Sequence, residues 1–273
     1  MRTKPLDYTS GLSERRAIID QTLSILSAYE RNITKDDLAK KVCKFSFLNE
    51  TSWTTAQSIV KRFFAKRYMD GYSYAPAEFL SNEFIERTGY KTSNSQMIFY
   101  TFTALSEDAV YQFVTNYLFS EWFEKDVLTR DDIEWAISKH IESSGLICPP
   151  KRLRLISGGA TGTLKEFGIL RQYDDNGINI LNSFTVHRPI LNNLMLMELI
   201  YIFKKNGMSD HSVIHNKAWA LFGLDGNDII NKLRGLSGYY IIQAAGSAVS
   251  LSRVIKDDGD FLDALGNYYS DGR

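Results

Sequence analysis

A chain of 273 residues, 44% hydrophobic, 13% aromatic and 23% charged, can bury sizeable apolar cores, which excludes a disordered or fibrous protein and predicts one large or two medium domains. Its 32 basic residues are balanced by 32 acidic ones. This excludes a protein that coats nucleic acid by bulk charge, so any phosphate recognition must be local.

The opening MRTKPLDYTSGL has early positive charges but no apolar run behind them, so a secretory signal is not expected. From there the first half reads as helices. Residues 13–28 gather Ile18, Ile19, Leu23, Ile25 and Leu26 on one face behind Ser13 as N-cap. Residues 32–45 form a second helix with Thr34 as N-cap, and Asp36 and Asp37 in the first turn complement the helix dipole.

Residues 52–68, SWTTAQSIVKRFFAKRY, hold four basic residues and no acidic one. At 100° per residue Ala56, Ile59, Val60, Phe63 and Phe64 share one side with Trp53, and Thr54, Ser58, Lys61 and Arg62 line the other. Arg67 falls on the apolar side and has to snorkel outward. A helix, a connector and an amphipathic helix make the order of a helix-turn-helix. Thr54, Thr55, Gln57 and Ser58 would reach base edges or phosphates, and Lys61, Arg62 and Lys66 would hold the backbone. The competing reading is a solvated face that lacks carboxylates.

Further helices are predicted over residues 76–87, 95–105, 106–125 and 129–143. The middle two carry Phe99, Tyr100, Phe102, Tyr111, Phe113, Tyr117, Phe119, Trp122 and Phe123. Such rings can stack on unpaired bases, but at helical spacing core packing is the favoured reading.

The pattern changes near Gly145, and Cys148-Pro149-Pro150 marks a boundary. Two helix-then-hairpin units are predicted beyond it. In the first, a helix around residues 161–167 leads to GILRQY, DDNG and INIL, with Asn176-Gly177 as the turn. In the second, residues 225–236 lead to YYIIQA, AGS and AVSLS. Helices followed by a small hairpin make the layout of a winged helix. The expected fold is mainly α: a helical N-terminal half with a helix-turn-helix, and a C-terminal half of winged-helix units carrying small β-hairpins. Boundaries are expected at 1–145, 146–190 and 191–273. Lys151, Arg152 and Arg154 precede the first winged unit, and Asn231, Lys232 and Arg234, with Asn227, lie opposite the apolar side of the second docking helix. All are candidate DNA contacts.

Catalytic patterns are weaker. SGGATGT at residues 157–163 lacks the Gly-Lys-Ser/Thr ending of a P-loop and does not fit G-x-G-x-x-G; a loop with a helix cap is expected. His211 and His215 are spaced i, i+4 without a third ligand, and His140 and His187 stand alone. Cys43 and Cys148 have no metal-ligand spacing and read as reduced thiols of a cytoplasmic protein. The apolar run 190–203 is interrupted by Asn192, Asn193 and Glu198 and is too short to cross a bilayer. No enzyme activity, cofactor, metal or membrane partner is expected.

Tyr8-Thr9-Ser10-Gly11-Leu12 before the first helix, Asn49 followed by Ser52, Thr55-Ala56, Ile59 and Arg62, and the aromatic helices leading to Ser157 and residues 164–170 together resemble the BrxA family of bacteriophage-exclusion (BREX) defence systems. The similarity spans residues 6–188, and the segment beyond about Asn192 is additional. It implies a small, helical, non-enzymatic protein that binds double-stranded DNA beside a methyltransferase, a phosphatase-like protein and a large ATPase. It would place Thr54, Ser58, Lys61 and Arg62 on the DNA-facing helix. The alternatives are an adaptor that docks another defence component through its winged units and an RNA-binding factor.

Overall fold

The structure, a computed structural model, describes residues 17–48, 52–81, 92–121, 127–172, 182–246 and 248–270. It is mostly helical with small antiparallel sheets. Its contacts divide the chain into two compact units, residues 1–19 with 99–189 and residues 20–98 with 190–273. This grouping differs from the linear boundaries 1–145, 146–190 and 191–273, because distant segments share a core.

In the second unit, α1 (Ile19–Leu26) starts later than residue 13. Ile18 has φ 52°, outside the helical region, and residues before 17 lie outside the described ones. Helix α2 (Lys35–Lys44) begins where Thr34 Oγ1 accepts the Asp37 amide, with Asp36 and Asp37 in the first turn. Helix α3, residues 53–68, is continuous but not uniform: Trp53–Ser58 is α-helical, Ile59–Phe64 π-helical and Ala65–Tyr68 α-helical again. Its buried pairs Ile59/Val60, Phe63/Phe64 and Arg67/Tyr68 recur every fourth residue. A uniform helix of 3.6 residues per turn would rotate such pairs off the core, and the wider i→i+5 turn keeps them aligned. Helix α4 (Pro76–Leu80) ends at an extended Ser81; the rest of the expected helix, from 82, lies outside the described residues.

Helix α5 (Thr92–Ser106) runs through the boundary between the units. In the first unit, residues 108–121 form α6, α-helical over Asp108–Gln112 and π-helical over Phe113–Glu121. Its N-cap is Glu107, and the expected starter Ser106 instead closes α5. Strand β1 (Val127–Thr129) runs straight into α7 (Arg130–Ser143), where Thr129 and Asp132 form a capping box. After the loop at Gly145, Pro150 opens α8 (Pro150–Glu166), as proline at N1 favours.

The segment SGGATGT lies inside α8, not in a loop. The hydroxyls of Ser157, Thr161 and Thr163 each donate to the carbonyl four residues back, which lets these small polar residues pack without unpaired groups. Strands β2 (Leu170–Arg171) and β3 (Ser183–Val186) complete a sheet of order β1-β3-β2, with Leu128 opposite Phe184 in its core. Among the described residues the partner of GILRQY is SFTV; DDNG and INIL lie outside the described residues, and β1 is a third strand that periodicity over three residues could not reveal.

The remainder of the second unit is built on α9 (Asn193–Lys205), buried from Leu194 to Phe203. The apolar run is thus a core helix, and no helix among the described residues is long and apolar enough to cross a membrane. Tyr201 packs on Tyr74, Phe79 and Phe261, and Asn206 exchanges hydrogen bonds with the Tyr74 backbone. These contacts join the early and late segments. Then follow α10 (Asp210–Ile214), a 3-10 turn (Lys217–Phe222), α11 (Gly226–Arg234), the hairpin β4 (Tyr240–Ala245) and β5 (Ala248–Arg253), and α12 (Asp258–Ser270). Tyr240 Oη donates to the Met197 carbonyl at 3.1 Å, and the Asp210 carboxylate accepts the Leu251 amide at 2.9 Å; both pin the hairpin root.

Candidate nucleic-acid interface

On α3, Thr54 and Arg62 are exposed and Thr55, Gln57, Ser58, Lys61 and Lys66 half-buried. The basic face is not free. Lys61 Nζ lies 2.6 Å from an Asp36 carboxylate oxygen on α2. The hydrogen bond from Lys61, then its charge, holds the Asp36 carboxyl below the usual carboxylate range. Around it Lys35 pairs with Asp70, Lys40 with Asp37 and Lys41 with Glu30. Arg62 lies over the Phe63 ring, 5.8 Å from its centroid. Arg67 does not snorkel; it is fully buried. The expectation of an unpaired Lys61 is corrected: the acids that meet it come from α2, 25 residues earlier in the sequence.

Helix α8 differs in how its first turn is built and exposed. Its first turn contains no acidic residue and its N-cap, Pro149, makes no side-chain cap bond, while Lys151, Arg152 and Arg154 are all exposed. Cations at this end oppose the helix dipole. By contrast α2, α7, α11 and α12 each carry acids in the first turn. The Arg154 side chain is 78% exposed and only approaches Glu134, at 4.0 Å. Further down the same helix Gly158 and Lys165 are also exposed, with residues 159–164 buried between them, and Lys165 lies about 21 Å from Lys151 at 1.5 Å per residue.

Along this helix, beside the start of α7, lies a cleft of about 480 Å³. Arg130, Arg154 and Lys165 line it against Asp131 and Glu134, and Gly158 and Gly162 form part of its floor. A Cβ at Gly158 would meet nothing within 4 Å, so the backbone there is open to approach. Arg130 and Lys165 were not foreseen, since only the pairing of α7 with α8 brings them beside Arg154.

On α11, Asn227, Asn231 and Arg234 are exposed, while Ile229 and Leu233 are buried. Arg234 donates to the Asn231 side chain at 3.2 Å. Lys232 is corrected: it is half-buried and its Nζ donates to the Leu191 carbonyl at 3.2 Å, so it is no outward phosphate contact. The following hairpin protrudes with exposed Gln243, Ala244 and Ala245, and residues 235–252 contain no charged side chain.

Phe99, Tyr100, Phe102 and Phe113 are at most 1% exposed and form core contacts, not a stacking platform. His211 and His215 sit with ring centroids 4.4 Å apart, and among the described residues no group of three metal-ligating side chains forms. Cys43 and Cys148 are free thiols, and burial pushes the Cys43 thiol up. No protein-family model, curated protein or solved structure matches this chain.

Proposed function

We propose that this chain is a non-catalytic, double-stranded-DNA-binding accessory protein, of the kind that the resemblance to the BrxA family implies for a phage-defence system. The observation that carries the reading is the uncapped, acid-free first turn of α8 with exposed Lys151, Arg152 and Arg154. Orphan amides, the positive end of the dipole and three cations all favour an anion at one point. A phosphodiester backbone supplies such anions in a row, and Arg130 and Lys165 extend the row along the cleft.

The order α2, connector, α3 supports a helix-turn-helix with Thr54 and Arg62 outward. The order α10, 3-10 turn, α11, β4, β5 supports a winged helix whose docking helix presents Asn227, Asn231 and Arg234. Both would add contacts secondary to those of α8. The test is a mobility-shift titration of duplex DNA across a salt series. With about three phosphate contacts, log K should fall with log salt at a slope near −3. A flat response overturns the reading.

The hairpin favours a second reading. Its lack of charge above Arg253 at the root, with Ile241 51% exposed and Val254, just past the hairpin, 40% exposed, suits a protein surface better than phosphates. In that case the chain is an adaptor for another defence component, and pull-down of that component persists after nuclease treatment.

A further inference from the structure

A second cleft, of about 310 Å³, lies between the last turn of α9, the root of the β4–β5 hairpin and the start of α12. All three elements belong to the second unit. Tyr201 and Tyr240, 5% and 3% exposed, form a ring-lined wall. Lys204, Lys205, Arg253 and Lys256 supply positive charge, and Asp258 is the one carboxylate in the lining among the described residues.

The charges do not cancel. Asp258 receives both Lys205 and Arg253, the latter at 2.8 Å. Lys204 pairs with Asp210 at 2.6 Å, outside the lining. Lys256 is exposed, and no carboxylate among the described residues pairs with it. Four cations against Asp258 and Asp210 leave a surplus of two positive charges. Arg253 is also held in place: its guanidinium carbon lies 4.8 Å from the Phe261 ring centroid and 5.6 Å from that of Tyr201, and it donates to the Lys256 carbonyl. An immobilised guanidinium loses little entropy when it meets an oxyanion.

We propose that this cleft binds a phosphate monoester, the group carried by a mononucleotide and by the 5′ end of a nucleic-acid strand. A monoester carries about −1.5 to −2 charges at neutral pH, which matches the surplus, whereas an internal phosphodiester carries one. Of its five N–H groups Arg253 gives two to Asp258 and the Lys256 carbonyl, which leaves others for a phosphate oxygen, and Lys256 is placed to add a point charge. The tyrosine and Leu251 surfaces give the attached body an apolar contact. The site lies in a different unit from Lys151, Arg152 and Arg154, so it stands independently of the duplex reading.

The experiment is calorimetric titration of the full chain with adenosine 5′-monophosphate and with adenosine, repeated on Lys256→Glu. The monophosphate is expected to bind at least about tenfold more tightly than the nucleoside, as charged hydrogen bonds to phosphate require. Lys256→Glu, exposed and outside the ion-pair network, is expected to remove that preference while leaving the melting temperature unchanged. A duplex with 5′-phosphates against the same duplex with 5′-hydroxyls separates the two sources. A strand-end ligand gives a preference for the phosphorylated duplex that the variant lacks; a free mononucleotide gives none. The proposal is overturned if neither phosphorylated form is preferred over its dephosphorylated counterpart, or if the preference survives Lys256→Glu.

Discussion

Helix α3 and the first turn of α8 look alike in the sequence, with four cations in residues 52–68 and three in residues 151–154. The folded chain separates them. On α3, Lys61 meets Asp36 and Arg67 is interred in the core; on α8, Lys151, Arg152 and Arg154 remain exposed at a helix end that already carries positive potential. Charge density along a sequence is therefore not charge density on a surface. What decides is which acids the tertiary structure brings alongside, and packing against α2 supplies them to α3.

The comparison breaks most directly at α8. Reversing Lys151, Arg152 and Arg154 to Glu should weaken duplex binding by about 100-fold or more in a mobility shift, since three phosphate contacts become repulsive. The same reversal places acids where the helix dipole favours them, worth about 0.3–1 kcal/mol each. That gain offsets what Arg152 and Arg154 lose in their own contacts, the latter beside Glu134, so denaturant unfolding should show stability close to that of the parent chain, which a variant that loses binding by misfolding would not.

Next in size is the mounting of the cleft. Thr129→Ala removes the hydroxyl that caps α7 and should cost about 1 kcal/mol in chemical denaturation, with a smaller loss of binding as Arg130 is less firmly placed. Gly158→Ala has open space for its methyl group and should stabilise α8 by about 0.5–1 kcal/mol. If DNA approaches the backbone there, the more stable variant binds more weakly.

The smallest effect is expected on α3. Lys61→Ala should change duplex affinity by less than about threefold, because an exposed ion pair contributes little and its cation is already engaged. A large loss would restore α3 as the main DNA contact. Acid titration sharpens the point. The Asp36 carboxyl has a folded value below its ordinary one, so its contribution is present in full above the unfolded value of about 3.9 and is lost as pH falls through the folded value. Lys61→Ala should remove that part of the acid sensitivity seen in thermal melts between neutral pH and pH 3 or so.

Much of the architecture was legible where a local signal is strong. Thr34, Thr129 and Asp225 mark helix starts because a side-chain oxygen there accepts an amide in the first turn. The β4–β5 hairpin was legible from two apolar runs around a glycine turn, with Gly246 at φ 58°. SGGATGT was not, because the local preference of glycine for turns is overridden when small residues let α8 pack closely against its neighbours. Of the candidate site, Lys151, Arg152, Arg154, Arg62, Asn231 and Arg234 are exposed as read, whereas Lys61 and Lys232 have partners that lie far away in sequence.

The sequence by itself determined the mainly helical character, the capped helix starts and the position of the last hairpin, since each follows from side chains within a few residues of one another. Only the tertiary structure decided which cations stay available. Ion pairs such as Lys61 with Asp36 and clusters such as Lys205, Arg253 and Asp258 join residues separated by tens of positions, and electrostatic attraction depends on distance through space, which chain order does not record.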